Sequence, residues 1–295
     1  MRRGGGKRGY SFRRRNTPYL FLLPTLLAII FVQFYPMFYG LILSFTNQTL
    51  LRVQTVQFTL SNYQKMFKEP QFQYSLWLQF SFIFIALPLE LVIGFFVALL
   101  LDKPFRVFKV VRALLMLPVF VLPVLSGLTW RLMLQPKYGV LARAFETLAL
   151  GPSAWLADTR YAYIAILLQD IWRMWPFMFL LICAGLTSLP QELRESARLD
   201  GASFFSETVY IIIPCLKPVL SMAILLRMID ALRIFSEVYV MTYGGPSNAT
   251  MLLSLYIHKQ GFEFGNISYA SAMGTVLLFL ALPLAYVAVK KSLKV

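Results

Sequence analysis

Six long apolar runs constrain this chain more than any other feature: about Pro18–Phe45, Ser75–Leu101, Ala113–Leu134, Tyr161–Leu186, Pro218–Tyr243 and Tyr269–Val289. A helix crosses the hydrocarbon layer of a bilayer with roughly 20 mostly apolar residues. Lipid offers backbone amides no hydrogen-bond partner, so a spanning segment closes its bonds internally as a helix or within a barrel. With 58% of 295 residues hydrophobic and 14% charged, the chain has more apolar surface than a soluble core of this length can bury. The runs predict an all-α, polytopic membrane protein with a spanning domain over residues 18–290, a basic tail at 1–17 and a short tail at 291–295.

The formal charge of +15 could suggest a nucleic-acid partner. Its distribution gives a different reading. Arg2, Arg3, Lys7, Arg8, Arg13, Arg14 and Arg15 precede the first run; Lys103, Arg106, Lys109 and Arg112 crowd the connection after the second; Lys290, Lys291 and Lys294 follow the last. Arg194, Arg198 and Lys217 fall on the same side of a six-span topology. The other connections hold fewer bases: Arg52, Lys65, Lys68, Arg131, Lys137, Arg143, Arg160 and Lys259. Basic residues stay cytoplasmic during insertion, so both termini are expected in the cytosol, and no nucleic acid is implied. The first apolar run is too long for a signal-peptide core and no small-residue cleavage site follows it. The basic tail, with Gly4, Gly5, Gly6 and Gly9, needs no partner beyond anionic membrane lipid.

The connections carry local signals. Ser61-Asn62-Tyr63-Gln64 reads as a capping box with Ser61 as N-cap. Pro136, Gly139, Gly151 and Pro152 punctuate Arg131–Arg160 into turns and one short helix. Pro24 and Pro36 interrupt the first run, which is tolerable where local rearrangement satisfies the freed carbonyls. Cys183 and Cys215 have no metal spacing and form no disulfide framework.

One connection is a charged island, Pro190–Pro214, PQELRESARLDGASFFSETVYIIIP. Ser188-Leu189-Pro190-Gln191 signals a helix start. Gln191–Asp200 is polar enough for a surface helix, and Gly201 suits a turn of left-handed geometry. Phe204, Phe205, Val209 and Tyr210 supply an apolar face to a second helix. The bland reading is an ordinary cytoplasmic loop. The sharper one is a docking element, in which Glu195 and Arg198 pair with each other or with a partner's charges.

Glu195-Ser196-Ala197, Gly201 after three residues and Ile211-Ile212-Ile213-Pro214 after nine more resemble the EAA loop of membrane subunits of binding-protein-dependent ABC importers, with Ser196 for Ala and Ile213 for Leu. Asp230-Ala231-Leu232-Arg233-Ile234-Phe235, Val238–Thr242 and Gly244-Gly245-Pro246 resemble the signature of the first of two sugar permeases, the maltose F-type half, with Ser236 in place of an aspartate and Glu237 beside it. Leu20–Pro24, Phe34-Tyr35-Pro36, Leu43-Ser44-Phe45, Arg112-Ala113-Leu114, Leu117-Pro118, Trp130 and Ile171-Trp172 also fit the carbohydrate-uptake branch. The resemblance covers about residues 18–290. It implies a type I importer permease of six transmembrane helices in the bacterial or archaeal cytoplasmic membrane. It further implies a heterodimer with a second permease, two copies of a cytosolic ATPase that binds ATP and Mg, and an extracytoplasmic sugar-binding protein. By resemblance, residues 188–217 form the coupling loop, with Glu195, Ser196, Ala197, Asp200, Gly201, Ala202 and Pro214 as its contacts to the ATPase.

No G-x-x-x-x-G-K-[ST] phosphate loop occurs, so ATP is not expected on this chain. His258 lacks a metal constellation and no nucleophile motif is present; the chain is read as non-catalytic. Ionisable groups within spans are functional candidates by default: Glu90, Asp170, Arg173, Arg227, Asp230, Arg233 and Glu237. The i, i+3 spacings Asp170/Arg173, Arg227/Asp230 and Asp230/Arg233 put a base within reach of each acid, which favours internal pairing over a charged ion path. For a sugar path, Trp172, Trp175, Tyr239 and Tyr243 could hydrogen-bond hydroxyls and stack on sugar faces, although aromatics in spans more often pack or form an interfacial belt; Arg173, Asp230, Arg233 and Glu237 are candidates for direct substrate or gate contact. A proton-coupled secondary transporter using Glu90, Asp170 or Asp230 is the alternative; a membrane-embedded enzyme has no visible constellation.

Overall fold

The computed structural model describes residues 19, 21–50, 55–102 and 106–292. The basic tail, Leu20, Arg52, Lys103 and residues 293–295 lie outside the described residues, as do the side chains of Arg106, Arg198 and Lys291. The described chain is nearly all helical, with one antiparallel bridge between Thr46 and Phe58. In chain order the helices are α1 (Phe21–Ser44), α2 (Ser61–Lys68), α3 (Pro70–Leu100), α4 (Arg106–Leu115), α5 (Pro123–Met133) and α6 (Val140–Thr147). There follow α7 (Thr159–Thr187), α8 (Gln191–Leu199), α9 (Phe204–Ala231), α10 (Ser236–Met241), α11 (Leu253–His258) and α12 (Ile267–Ser292).

Five of these, α1, α3, α7, α9 and α12, are long and apolar enough to cross a membrane. The third apolar run departs from expectation. It forms two helical segments, Val107–Phe120 and Pro123–Met133, bent by 94°. Pro118 and Pro123 each lack the N–H that a continuous ladder requires, so the chain tightens into a turn at Leu117–Phe120 and restarts at Pro123. Counting the bent pair as one span gives six.

The fifth run also moves. The expected span Pro218–Tyr243 is instead a helix that begins at Phe204 and ends at Ala231. Ser203 caps its start, its Oγ accepting from the Ser206 amide at 3.2 Å. The island's second helix is therefore the first part of this span. A π-turn at Thr208–Ile212 leads into Pro214, and a similar turn at Ile30–Phe34 precedes Pro36 in α1. Widening the turn makes room for a proline ring within the helix. After Ala231 the chain turns through Leu232–Phe235 before α10 begins.

The chain divides into two compact units, residues 1–66 with 260–275, and residues 67–259 with 276–295. In the first, Thr46 and Ser268 share a hydroxyl hydrogen bond of 2.8 Å, and the Leu50 amide donates to the Gly265 carbonyl at 2.8 Å. Asn62 Nδ2 donates to the carbonyls of Ser44 and Thr46. Here α2 starts at Ser61 itself, with the amides of Tyr63 and Gln64 donating to Leu60 O. Ser61 is the first helical residue, so the expected capping box is not its N-terminus.

In the second unit, α3 packs along α7, the more deeply buried of the two. Ala98, Leu99, Met178, Phe179, Ile182, Leu186, Ile212 and Leu216 belong to one buried apolar cluster between them and α9. Within lipid, close packing rather than water exclusion holds helices together, and Gly94 permits it: a Cβ there would sit 2.8 Å from Phe179 N and 2.9 Å from Met178 Cβ. Gly94→Ala is expected to cost about 1–3 kcal/mol through overpacking, read as a lower unfolding midpoint of the purified protein. An unchanged midpoint would contradict this packing.

Candidate functional site

The α3, α7, α9 and α10 helices each carry ionisable side chains into the interior of this unit. Arg227 on α9 is 1% exposed. Its Nε donates to Glu90 Oε2 at 2.8 Å and its Nη2 to Glu90 Oε1 at 2.9 Å. This is a two-pronged pairing, the geometry in which guanidinium and carboxylate bind most strongly. The same guanidinium donates to Asp170 on α7, and its Nη1 reaches Asp230 Oδ2 at 3.2 Å. Arg173, one turn beyond Asp170, lies 2.7 Å from Glu237 on α10 and 3.8 Å from Asp170. Glu90 and Asp170 are fully buried and Glu237 nearly so.

Nearby polar groups support this network. Gln79 Nε2 donates to the Ala231 carbonyl at 2.8 Å, holding the end of α9, and Gln169 Nε2 donates to Ser126 Oγ at 2.7 Å. Charges removed from water are tolerated when each finds an opposite charge and good hydrogen bonds. Internal pairing therefore accounts for Glu90, Asp170, Arg173, Arg227 and Glu237. Asp230 and Arg233 differ from the expected i, i+3 pair. Because α9 ends at Ala231, Arg233 leaves the helical face; it is exposed and has no ion pair among the described residues, while Asp230 turns to Arg227.

A cavity of about 150 Å³ opens beside the network, with Arg173, Arg227, Asp230, Arg233, Phe235 and Glu237 in its wall. Of the residues singled out for a sugar path, Arg173, Asp230, Arg233 and Glu237 thus share one cavity. Trp172 and Trp175 do not; they line a separate space of about 560 Å³ with Trp130, Phe145 and Trp155. Tyr239 belongs to a third group, its ring centroid 5.3 Å from Phe235, 5.0 Å from Tyr243 and 5.5 Å from His258. Nothing in the sequence assigns Phe235 or His258 to this ring group, because the turn after Ala231 and the return in α11 bring them together.

The island folds as a short helix, a glycine turn and a long helix. At the end of α8 the Asp200 amide donates to Ser196 O at 3.0 Å and the Ala202 amide to Ala197 O at 2.9 Å. The second bond, five residues back, closes a helix whose next residue is left-handed; Gly201 has φ +80°. Glu195 and Ser196 are exposed, and Glu195 accepts from Gln191 Nε2 at 2.6 Å. Leu199 is 88% exposed, and Phe204, Phe205 and Tyr210 are also exposed. Pro214 is exposed and follows the π-turn of α9. Arg194, read from sequence only as a topology charge, bridges Asp102 and Glu207.

Long apolar helices held around buried ion pairs define the class: a multi-pass membrane protein. Comparison with known proteins gives the family. A family model described as binding-protein-dependent transport system inner membrane component matches residues 74–295. The chain is 34% identical over 280 residues to the trehalose/maltose transport system permease protein MalF of Thermococcus litoralis, covering 95% of each. It is 32% identical to the sulfoquinovosyl glycerol transport system permease protein SmoG of Agrobacterium fabrum, covering 89% of this chain and 86% of that one. A chain in the crystal structure of a bacterial alginate ABC transporter, in complex with an alginate pentasaccharide-bound periplasmic protein, superposes with a TM-score of 0.80 at 20% identity, over 96% of both chains. The chain belongs to the family of binding-protein-dependent transport system inner membrane components.

Proposed function

We propose that the chain is the permease subunit of an ATP-driven ABC importer that carries a sugar, a di- or oligosaccharide or a related polyol or glycerol phosphate, across the cytoplasmic membrane. The observation that carries this reading is the exposed α8–Gly201–α9 element in a chain one third identical to a trehalose/maltose permease. A second permease completes the translocation path. Two copies of a separate ATPase, which hold ATP and Mg, engage the coupling loops, and an extracytoplasmic binding protein delivers the sugar. Both termini and α8 face the cytosol, as the basic residues argue.

Alternating access needs an energy source that stabilises two states differently. ATP binding closes the ATPase dimer, α8 carries that movement to the spans, and release of ADP and phosphate resets them. The cavity beside Arg173, Asp230, Arg233 and Glu237 supplies hydrogen-bond donors and acceptors suited to hydroxyls, and the Tyr239 group supplies rings for stacking. These residues are the candidate substrate path; Trp172 and Trp175 are candidates at its flank. The proton-coupled alternative is weaker because Glu90, Asp170 and Asp230 all bind Arg227. The test is to purify the chain with its partner subunits and screen sugars for stimulation of ATP hydrolysis. The reading expects a narrow set of sugars to stimulate it; no stimulation by any sugar with its binding protein present would refute the cargo assignment.

A further inference from the structure

We propose that Arg194 is a positioning residue that clamps the coupling helix α8 to the two spans it must move, a step that rests on the docking role given to α8 above. Among the described side chains of α8 all are exposed except Arg194 and Ala197, and only Arg194 has the length and charge to reach another element. Its Nη1 lies 2.5 Å from Asp102 Oδ2, just past the end of α3, and its Nε lies 2.7 Å from Glu207 Oε1, in the first turn of α9. Glu207 is 3% exposed, so its end of the bridge is a buried anchor.

The surroundings fit a clamp. A nine-residue helix with Pro190 before it and left-handed Gly201 after it has hinges at both ends. Without a lateral tie, a push on its exposed face would rock α8 against the bundle. The guanidinium fork fixes direction as well as distance, which a flexible ammonium does not. The end of α3 is held a second time, by Arg112 of α4 donating to the Leu101 carbonyl. Cations suit this position, where helix carbonyls carry partial negative charge.

The two arms of the clamp lead to one place. Asp102 follows α3, which carries Glu90; Glu207 lies on α9, which carries Arg227; and Glu90 and Arg227 are paired in the interior. Thus α3 and α9 are tied twice, once directly and once through α8. Displacement of α8 pulls on both members of the buried pair.

The test uses the full reconstituted complex with Arg194→Met and Arg194→Lys. The clamp predicts that Arg194→Met retains the ATPase at wild-type stoichiometry, speeds amide exchange across 191–199 about tenfold, as expected for loss of two partly solvent-screened ion pairs, and lowers sugar transported per ATP hydrolysed by a similar factor. Arg194→Lys should recover part of both. Wild-type exchange and coupling in Arg194→Met would overturn the proposal. Loss of the ATPase from that variant would overturn it too, by making Arg194 a docking contact. If Glu195→Lys leaves ATPase retention unchanged, the docking role of α8 falls, and the exchange measurement alone decides whether the clamp exists.

Discussion

Arg227→Met should leave little folded protein in the membrane. The substitution keeps bulk but leaves the fully buried Glu90 without its counter-ion and the fully buried Asp170 with only Arg173, 3.8 Å away. Removing one partner of a buried ion pair costs about 3–5 kcal/mol, against a total stability of about 5–15 kcal/mol for typical domains. Arg227→Lys should fare only slightly better, since a point charge cannot serve Glu90 with two bonds and Asp170 and Asp230 besides. Asp230→Asn should be mild, because that side chain is 47% exposed. The combined Glu90→Gln, Asp170→Asn, Arg227→Met variant should recover folding relative to Arg227→Met alone, since no carboxylate on the network's α3 and α7 positions then lacks a partner. Size-exclusion profiles and unfolding midpoints in detergent measure each. Wild-type stability of Arg227→Met would contradict a structural role for the network.

The second large effect concerns the island. Gly201→Pro and Glu195→Lys should abolish uptake and ATPase coupling while the protein still inserts. Nothing lies within 4 Å of a Cβ added at Gly201, so crowding is not the issue; φ +80° is. Proline fixes φ near −65°, which removes the turn that separates α8 from α9. Gly201→Ala occupies the same open space at a cost of about 1–2 kcal/mol for left-handed geometry, and should keep partial function. Glu195 is exposed and its partner is Gln191 on its own helix, so reversing its charge should leave stability unchanged. Loss of uptake in Glu195→Lys at wild-type yield would locate the effect at docking. Normal sugar-stimulated ATP hydrolysis in either variant would refute it.

The fold was legible where signals are local. Apolar length marked the spans, and the Ser188–Gln191 start and Gly201 stop of α8 were readable because caps and left-handed turns depend on a few adjacent residues. The bends were harder. The run Ala113–Leu134 reads as continuous by hydropathy, and its break shows only once Pro118 and Pro123 are read as interrupting one ladder. The fifth span was displaced because its hydrophobicity continues past Ala231, where the helix stops. That stop also undid the expected Asp230–Arg233 pairing, since i, i+3 neighbours meet only while the helix lasts.

Long-range partners were illegible for a different reason. Glu90 and Arg227 stand 137 positions apart, and nothing in one sequence says which distant charges meet. The sequence could nominate both as costly in a membrane, yet the pairing comes from the packing of α3 against α7 and α9. Arg173 points into a different space from Trp172 and Trp175 because neighbours on a helix diverge by about 100° per residue. Arg194 was missed because a base in a connection serves topology whether or not it also bridges two acids.

Uptake into proteoliposomes tests the central claim most directly. The vesicles hold this chain with its second permease and the ATPase, with ATP on the ATPase side and the binding protein and labelled sugar on the other. The account predicts accumulation that requires ATP and persists when a protonophore collapses the proton gradient. Accumulation by the chain alone that vanishes with the protonophore and ignores ATP would contradict it.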